Sequence, residues 1–192
     1  MQQVLAAEQL IKIHSRAEKR LGRDFFLNHS VNLAEELIGK CLFFNNKKWI
    51  INETEAYREE GDPACHAAKG KTKRNLPMFK AGGHAYVYFI YGMYYCLNFV
   101  SEQENYGSAV LIRSLIDPET KIPDKKLNGP GKICRELNIN LDLNGHDLTD
   151  SESFFVLDIG LRPEKIESTE RIGISKGKDL NISNSSLPAH YI

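Results

Sequence analysis

The stretch of residues 84–100 constrains this chain more than any other. It runs His84-Ala85-Tyr86-Val87-Tyr88-Phe89-Ile90-Tyr91, then Gly92, then Met93-Tyr94-Tyr95-Cys96-Leu97-Asn98-Phe99-Val100. Aromatic and β-branched residues at this density suit a pleated, half-buried surface, so residues 84–91 and 93–100 predict two strands. Gly92, after a bulky residue and between the two runs, predicts a tight hairpin turn with Tyr91 at its tip. Residues 107–115 predict a third strand, and 40–44 and 49–57 predict two more joined by an Asn45-Asn46-Lys47 turn. Further strands are expected at 154–159 and 171–175.

Helical signals lie between these strands. Residues 30–39 open with polar residues and close on Gly39, and residues 128–137 read as a helix capped by Asn128 with Pro130 in its first turn. Val4, Leu5, Glu8, Ile11 and Lys12 are spaced for the faces of an amphipathic N-terminal helix over residues 1–20. There is no repeat and no linker, and 192 residues suit one domain. The expected fold class is α+β. It is a single mixed domain whose curved, largely antiparallel sheet forms a partly open barrel surrounded by helices, with residues 176–192 as a tail of little pattern.

Composition excludes several classes. No apolar run approaches the roughly 20 residues of a membrane span, and charges interrupt the N-terminus where a secretory leader would be apolar. Cys41, Cys65, Cys96 and Cys134 lie far apart and mostly in apolar segments, which predicts reduced core thiols in an intracellular protein. The six histidines have no metal-ligand spacing, so no metal is expected. Cys65 beside His66 suggests a thiolate nucleophile, but sequence neighbours rarely have nucleophile–base geometry. The formal net charge is zero, yet Lys69, Lys71, Lys73, Arg74 and Lys80 lie in a stretch without acid, while Glu164, Glu167 and Glu170 gather elsewhere. Such segregation leaves one face of a neutral protein positive, or is simply a solvated loop.

The residues that carry chemistry sit at the edges of this framework. Alternation along a strand puts Glu53, Glu55 and Tyr57 on one face, which is either exposed or functional. The long irregular segment that follows, residues 58–83, favours function, because loops of that length in a compact domain usually serve it. Arg113 stands alone in Ala109-Val110-Leu111-Ile112-Arg113-Ser114-Leu115, and a buried arginine requires an acid, for which Glu55 is a candidate. Asn98 is likewise polar in an apolar strand, where a hydrogen bond to backbone would account for it. Tyr91, at a hairpin tip, gains little from the core and has the form of a wedge that enters a base stack.

Glu53-Thr54-Glu55-Ala56-Tyr57, Ala64-Cys65-His66, Arg74-Asn75, Tyr86 to Met93, Leu97-Asn98, Leu111-Ile112-Arg113, Gly129-Pro130-Gly131-Lys132 and Arg171-Ile172-Gly173 occur in this order. Together they resemble the alkyladenine, or methylpurine, DNA glycosylase family over residues 21–174. The resemblance implies a monofunctional enzyme of base excision repair. It would flip alkylated or deaminated purines (3-methyladenine, 7-methylguanine, hypoxanthine, ethenoadenine) out of double-stranded DNA and hydrolyse the glycosidic bond without a cofactor. It implies Glu55 as the base that activates water, held also by Arg113 and the Ile172 backbone carbonyl. Tyr57, His66 and Tyr88 would sandwich the flipped base, Asn98 would disfavour guanine, and Tyr91 would intercalate. Arg74 and Lys132 would contact the DNA backbone. No lysine falls at the base-pocket positions, so no Schiff-base step is implied. A monomer is expected. After Ser175 the chain departs from the family's usual ending, and the segment before Gly129 is short. Two alternatives remain at this point: a non-catalytic nucleic-acid binder that stacks bases on its tyrosines, and a small-molecule nucleosidase or glycoside hydrolase that cleaves free nucleosides.

Overall fold

A computed structural model describes residues 18–120, 122–171 and 183–185. Ten strands among them form one antiparallel sheet. They are β1 (Lys19–Arg20), β2 (Cys41–Phe44), β3 (Lys47–Tyr57), β4 (Ala85–Ile90), β5 (Tyr94–Val100), β6 (Ala109–Ile116), β7 (Pro123–Asn128), β8 (Phe154–Asp158), β9 (Glu167–Thr169) and β10 (Ser183–Ser185). The main path runs β1-β8-β2-β3-β6-β5-β4, with β7 on β6 and β10 bridging β3 and β9. The sheet curls strongly into a half-barrel, and the helices α1 (Arg23–Phe26), α2 (Ser30–Leu37) and α3 (Pro130–Glu136) pack on it. The α+β class expected from the sequence is the one observed.

The core explains why these segments fold as they do. Leu33, Ala34 and Leu37 of α2 meet Ile51, Val110, Ile112 and Leu115 from the two central strands, with Phe26, Phe99 and Phe154 closing the cluster. The β2–β3 connection is tighter than expected. Asn45 and Asn46 alone form the turn, with φ of 52° and 59°, the paired left-handed geometry whose twist matches a two-residue hairpin. The β4–β5 hairpin is looser than expected, because Ile90 pairs with Tyr94 and leaves Tyr91, Gly92 and Met93 as a three-residue turn.

Four expectations need correction. Lys19 and Arg20, assigned to an N-terminal helix over 1–20, form a strand on β8, where the Arg20 guanidinium covers the Phe155 ring at 4.7 Å; residues 1–17 lie outside the described residues. Asn128 does not cap α3. It pairs with Ser114 as the last residue of β7, and Gly129, at φ 128°, takes the cap position with Pro130 following. Arg171 is outside any strand, and residues 172–175 lie outside the described residues. The patternless tail contributes Ser183–Ser185 to the sheet opposite Glu53, Thr54 and Glu55.

Candidate active site

The two central strands carry a buried charge cluster. Glu55 is 0% exposed and Glu53 4% exposed, both on β3. Arg113 of β6 answers both: its Nε donates to Glu53 Oε1 at 2.8 Å, and its Nη1 lies 3.1 Å from Glu55 Oε2. The pairing of β3 with β6 shifts register on either side of Glu53, and Arg113 falls in that irregular stretch. Burial works against charge on the guanidinium, but Glu55 and then Glu53 outweigh it and raise the Arg113 pKa. The Tyr57 hydroxyl donates to Glu55 Oε1, and burial, then Glu55, pushes that phenol far above its usual range. The shared face of Glu53, Glu55 and Tyr57 is therefore not an exposed one: both carboxylates are buried and Tyr57 is half-buried. Arg113 is paired as a buried arginine must be, with two acids where one was expected.

Above this cluster opens a cavity of about 670 Å³. Its lining contains Glu55, Tyr57, His66, Tyr88, Tyr91, Asn98, Arg113 and Lys132, eight of the ten residues singled out from the sequence. Arg74 is outside the lining. Its guanidinium stands 6.0 Å from the Tyr88 ring centre and donates to the Phe89 carbonyl at 2.9 Å, at an exposed position beside the cavity. Ile172 lies outside the described residues. Lys132 lines the cavity at a position where it is exposed.

The walls are rigidly built. The His66 ring meets Tyr88 edge-on at 4.5 Å between centroids, and His66 Nδ1 shares a 3.0 Å hydrogen bond with the Tyr86 hydroxyl. Burial, then the nearby Arg74, lowers the His66 pKa and favours the neutral imidazole. Asn98 donates to the Tyr86 carbonyl at 3.0 Å, the backbone bond its placement in an apolar strand predicts, while also lining the cavity. The long segment after Tyr57 is irregular but pinned. Asn75 donates to the His66 and Gly70 carbonyls at 2.8 and 3.0 Å, and Cys65, Ala67, Met78 and Phe79 form a small core with Tyr86, Val100 and Ala109. Gly107 admits this packing, because a Cβ there would lie 2.4 Å from that of Ala67. Cys65 is no nucleophile: it is buried, its thiol pushed up to about 12 by burial, and its Sγ faces the Gly107 carbonyl at 3.7 Å. All four cysteines are buried and free.

Several contributors were given no role of their own from the sequence. Arg171 and Asp62 form a fully buried bidentate pair at 2.7 Å for each bond, and the Arg171 guanidinium lies 4.8 Å from the Tyr57 ring centre. This pair ties the start of the long segment to the residue preceding Ile172. Tyr86 and Glu53 had a visible signal in strand alternation; Arg171 stood only at the head of a family motif, and Asp62 had no signal. Tyr94 and Arg135 also line the cavity.

The site is thus a buried carboxylate at the base of a cavity walled by aromatic rings. The family model described as Methylpurine-DNA glycosylase (MPG) matches residues 24–188, and the chain belongs to that family. It is accordingly a DNA glycosylase, a hydrolase of N-glycosyl bonds in the repair of alkylated DNA. The match runs to residue 188, further along the chain than the motifs read from the sequence. A Rickettsia felis relative is 52% identical over 161 residues, 83% of this chain and 88% of its own length. One from Ehrlichia chaffeensis is 46% identical over 159 residues (83% and 88%), and one from Wolbachia pipientis 49% over 159 (83% and 85%). All three carry the provisional name 3-methyladenine DNA glycosylase. Among the described residues no helix is long and apolar enough to cross a membrane.

Proposed function

We propose that this glycosylase is monofunctional and hydrolyses the bond of a flipped, damaged purine with water activated by Glu55. The supporting observation is the position of Glu55: 0% exposed, bonded to Arg113 and Tyr57, at a cavity walled by aromatic rings. Its substrates are alkylated or deaminated purines in duplex DNA, of the 3-methyladenine, 7-methylguanine, hypoxanthine and ethenoadenine class.

The chemistry asks little of the protein beyond position and charge. A purine alkylated at N3 or N7 is cationic and already a good leaving group. Water attacks C1′, its proton passes to Glu55, and the C1′–N9 electron pair leaves with the base. The carboxylate also opposes the positive charge that develops on the sugar, and general-base action of this kind contributes about 100- to 10,000-fold. Arg113 and the Ile172 carbonyl hold the water. Tyr57, His66 and Tyr88 enclose the base, Asn98 disfavours guanine, and Tyr91 fills the gap in the stack. Arg74 and Lys132 meet backbone phosphates. Extrusion costs a few kcal/mol, and stacking at about 1–3 kcal/mol per base offsets it. Lys132 is exposed, not desolvated as a Schiff-base lysine must be, and is not a nucleophile in this scheme.

The test is base release from duplexes that carry each of the four lesions. Release of at least one free base, with no strand cleavage and nothing trapped by borohydride, is expected. Release from none of them would refute the assignment, and cleavage of free nucleosides alone would favour a nucleosidase.

A further inference from the structure

Arg171 and Asp62 are outside the cavity lining, yet they stand directly behind one of its walls. Both side chains are 0% exposed, and two bonds of 2.7 Å join them as a bidentate pair. Exchanging a buried ion pair for apolar residues of similar volume is often neutral or stabilising, so stability alone gives little reason to keep one. Its placement gives a better reason. The Arg171 guanidinium lies over the Tyr57 ring, 4.8 Å from the ring centre, and its Nη1 also donates to the Ala56 carbonyl at 3.4 Å. Tyr57 lines the cavity and Arg171 does not, so the cation backs the ring and does not compete for the space in front of it. Asp62 holds the other end. Its Oδ1 accepts from the Ala64 amide at 3.0 Å and its carbonyl from the Cys65 amide at 3.1 Å, in the turn that leads into His66. One ion pair thus joins the Tyr57 ring to the segment that carries His66, two of the three rings proposed to enclose the base.

A tyrosine near a strand end, anchored only through its hydroxyl, can swing about its side-chain bonds. A guanidinium fixed against the ring removes that freedom and adds a cation–π attraction. We propose that Arg171, locked by Asp62, is a positioning residue for Tyr57. It presets the plane of the ring and its place relative to His66, so that an extruded purine meets a slot already formed. The inference rests on the function proposed above.

The double variant Asp62→Leu/Arg171→Met removes both charges and keeps apolar bulk, so it leaves no charge buried alone. Its melting temperature is expected within about 5 °C of the parent's, and its affinity for an undamaged duplex within about twofold. The probe is a duplex carrying whichever of the four lesions the parent releases fastest, bound in the cold. Preference for it over the undamaged duplex should fall about tenfold, because a platform slightly out of place loses much of its effect. A second background separates a platform from general support. In the Tyr57→Leu protein, where no ring remains to be backed, the same double change should lower that preference by less than about twofold. Equal losses with and without the ring, or no loss in the folded double variant, would overturn the proposal. Should the double variant not fold, Arg171→Lys keeps the charge but cannot form the bidentate pair, and it takes the same comparison, with about fivefold expected with the ring and less than about twofold without it. A parent protein that releases no base from any of the four lesions would instead overturn the function on which the proposal rests, so the two failures are told apart.

Discussion

At the scale of single residues, His66 is held between two tyrosines in different ways: edge-on against the Tyr88 ring and through Nδ1 to the Tyr86 hydroxyl. Tyr86 is only 1% exposed, so its hydroxyl has little access to water as an alternative partner. Tyr86→Phe should therefore reduce base release about tenfold, the worth of roughly 1.4 kcal/mol in one hydrogen bond, while the melting temperature falls by a few degrees at most. The titration of His66 gives a second check. Its folded pKa is depressed by burial and by Arg74, so the neutral form is the one the fold accepts. The associated stability is fully present above the ordinary value near 6.5 and is lost as pH falls below it toward the folded pKa. In NMR titrations, Arg74→Gln should raise the His66 pKa toward 6.5. No movement, or a fall, would contradict the electrostatic account.

At the scale of elements, the β4–β5 hairpin sets stability against function. Tyr91 is 76% exposed and adopts φ 54°, a left-handed conformation costly for a bulky residue. Asparagine tolerates that region, so Tyr91→Asn should leave stability to denaturant equal or up to about 1 kcal/mol higher. The same change should slow base release from duplex DNA at least tenfold, because the wedge is gone. Full activity in this variant would remove Tyr91 from the account. This hairpin was legible in sequence because its strands are dense in aromatic and β-branched residues and a glycine sits between them. β7 was not: Pro123-Asp124-Lys125-Lys126-Leu127-Asn128 has one apolar residue, Leu127, that reaches the core, so it carries no alternation to detect. β9 and β10 are short and polar, and pair because their neighbours present open edges. The exchange of Asn128 for Gly129 at the head of α3 has the same origin, since Asn128 is already used by a strand the pattern did not reveal.

At the scale of the molecule, the site was legible where a local anomaly marked it. Arg113 in an apolar strand and Asn98 in another are such anomalies, and both line the cavity. The Arg171–Asp62 pair was hidden because its members lie 109 positions apart and neither is unusual among its sequence neighbours. Charge distribution belongs to this scale as well. The chain is neutral overall, but Lys69, Lys71, Lys73, Arg74, Lys132 and Arg135 are exposed on the cavity wall or in the segment that builds it. If about three to five of these neutralise phosphates, the affinity for duplex DNA falls with salt with a log–log slope of about −3 to −4.5. Lys132→Ala should make that slope shallower by about one, with little change in which lesion is preferred. An unchanged slope would place Lys132 off the DNA.

The central claim is that Glu55 activates the water, and one substitution isolates it. Glu55→Gln keeps the size of the side chain and an acceptor for the Tyr57 hydroxyl, but removes the base. The variant should bind lesion duplex within a few-fold of the parent, while its single-turnover base release falls by about 100-fold or more. A glutamine variant that binds the duplex and releases the base at the parental rate would contradict the account.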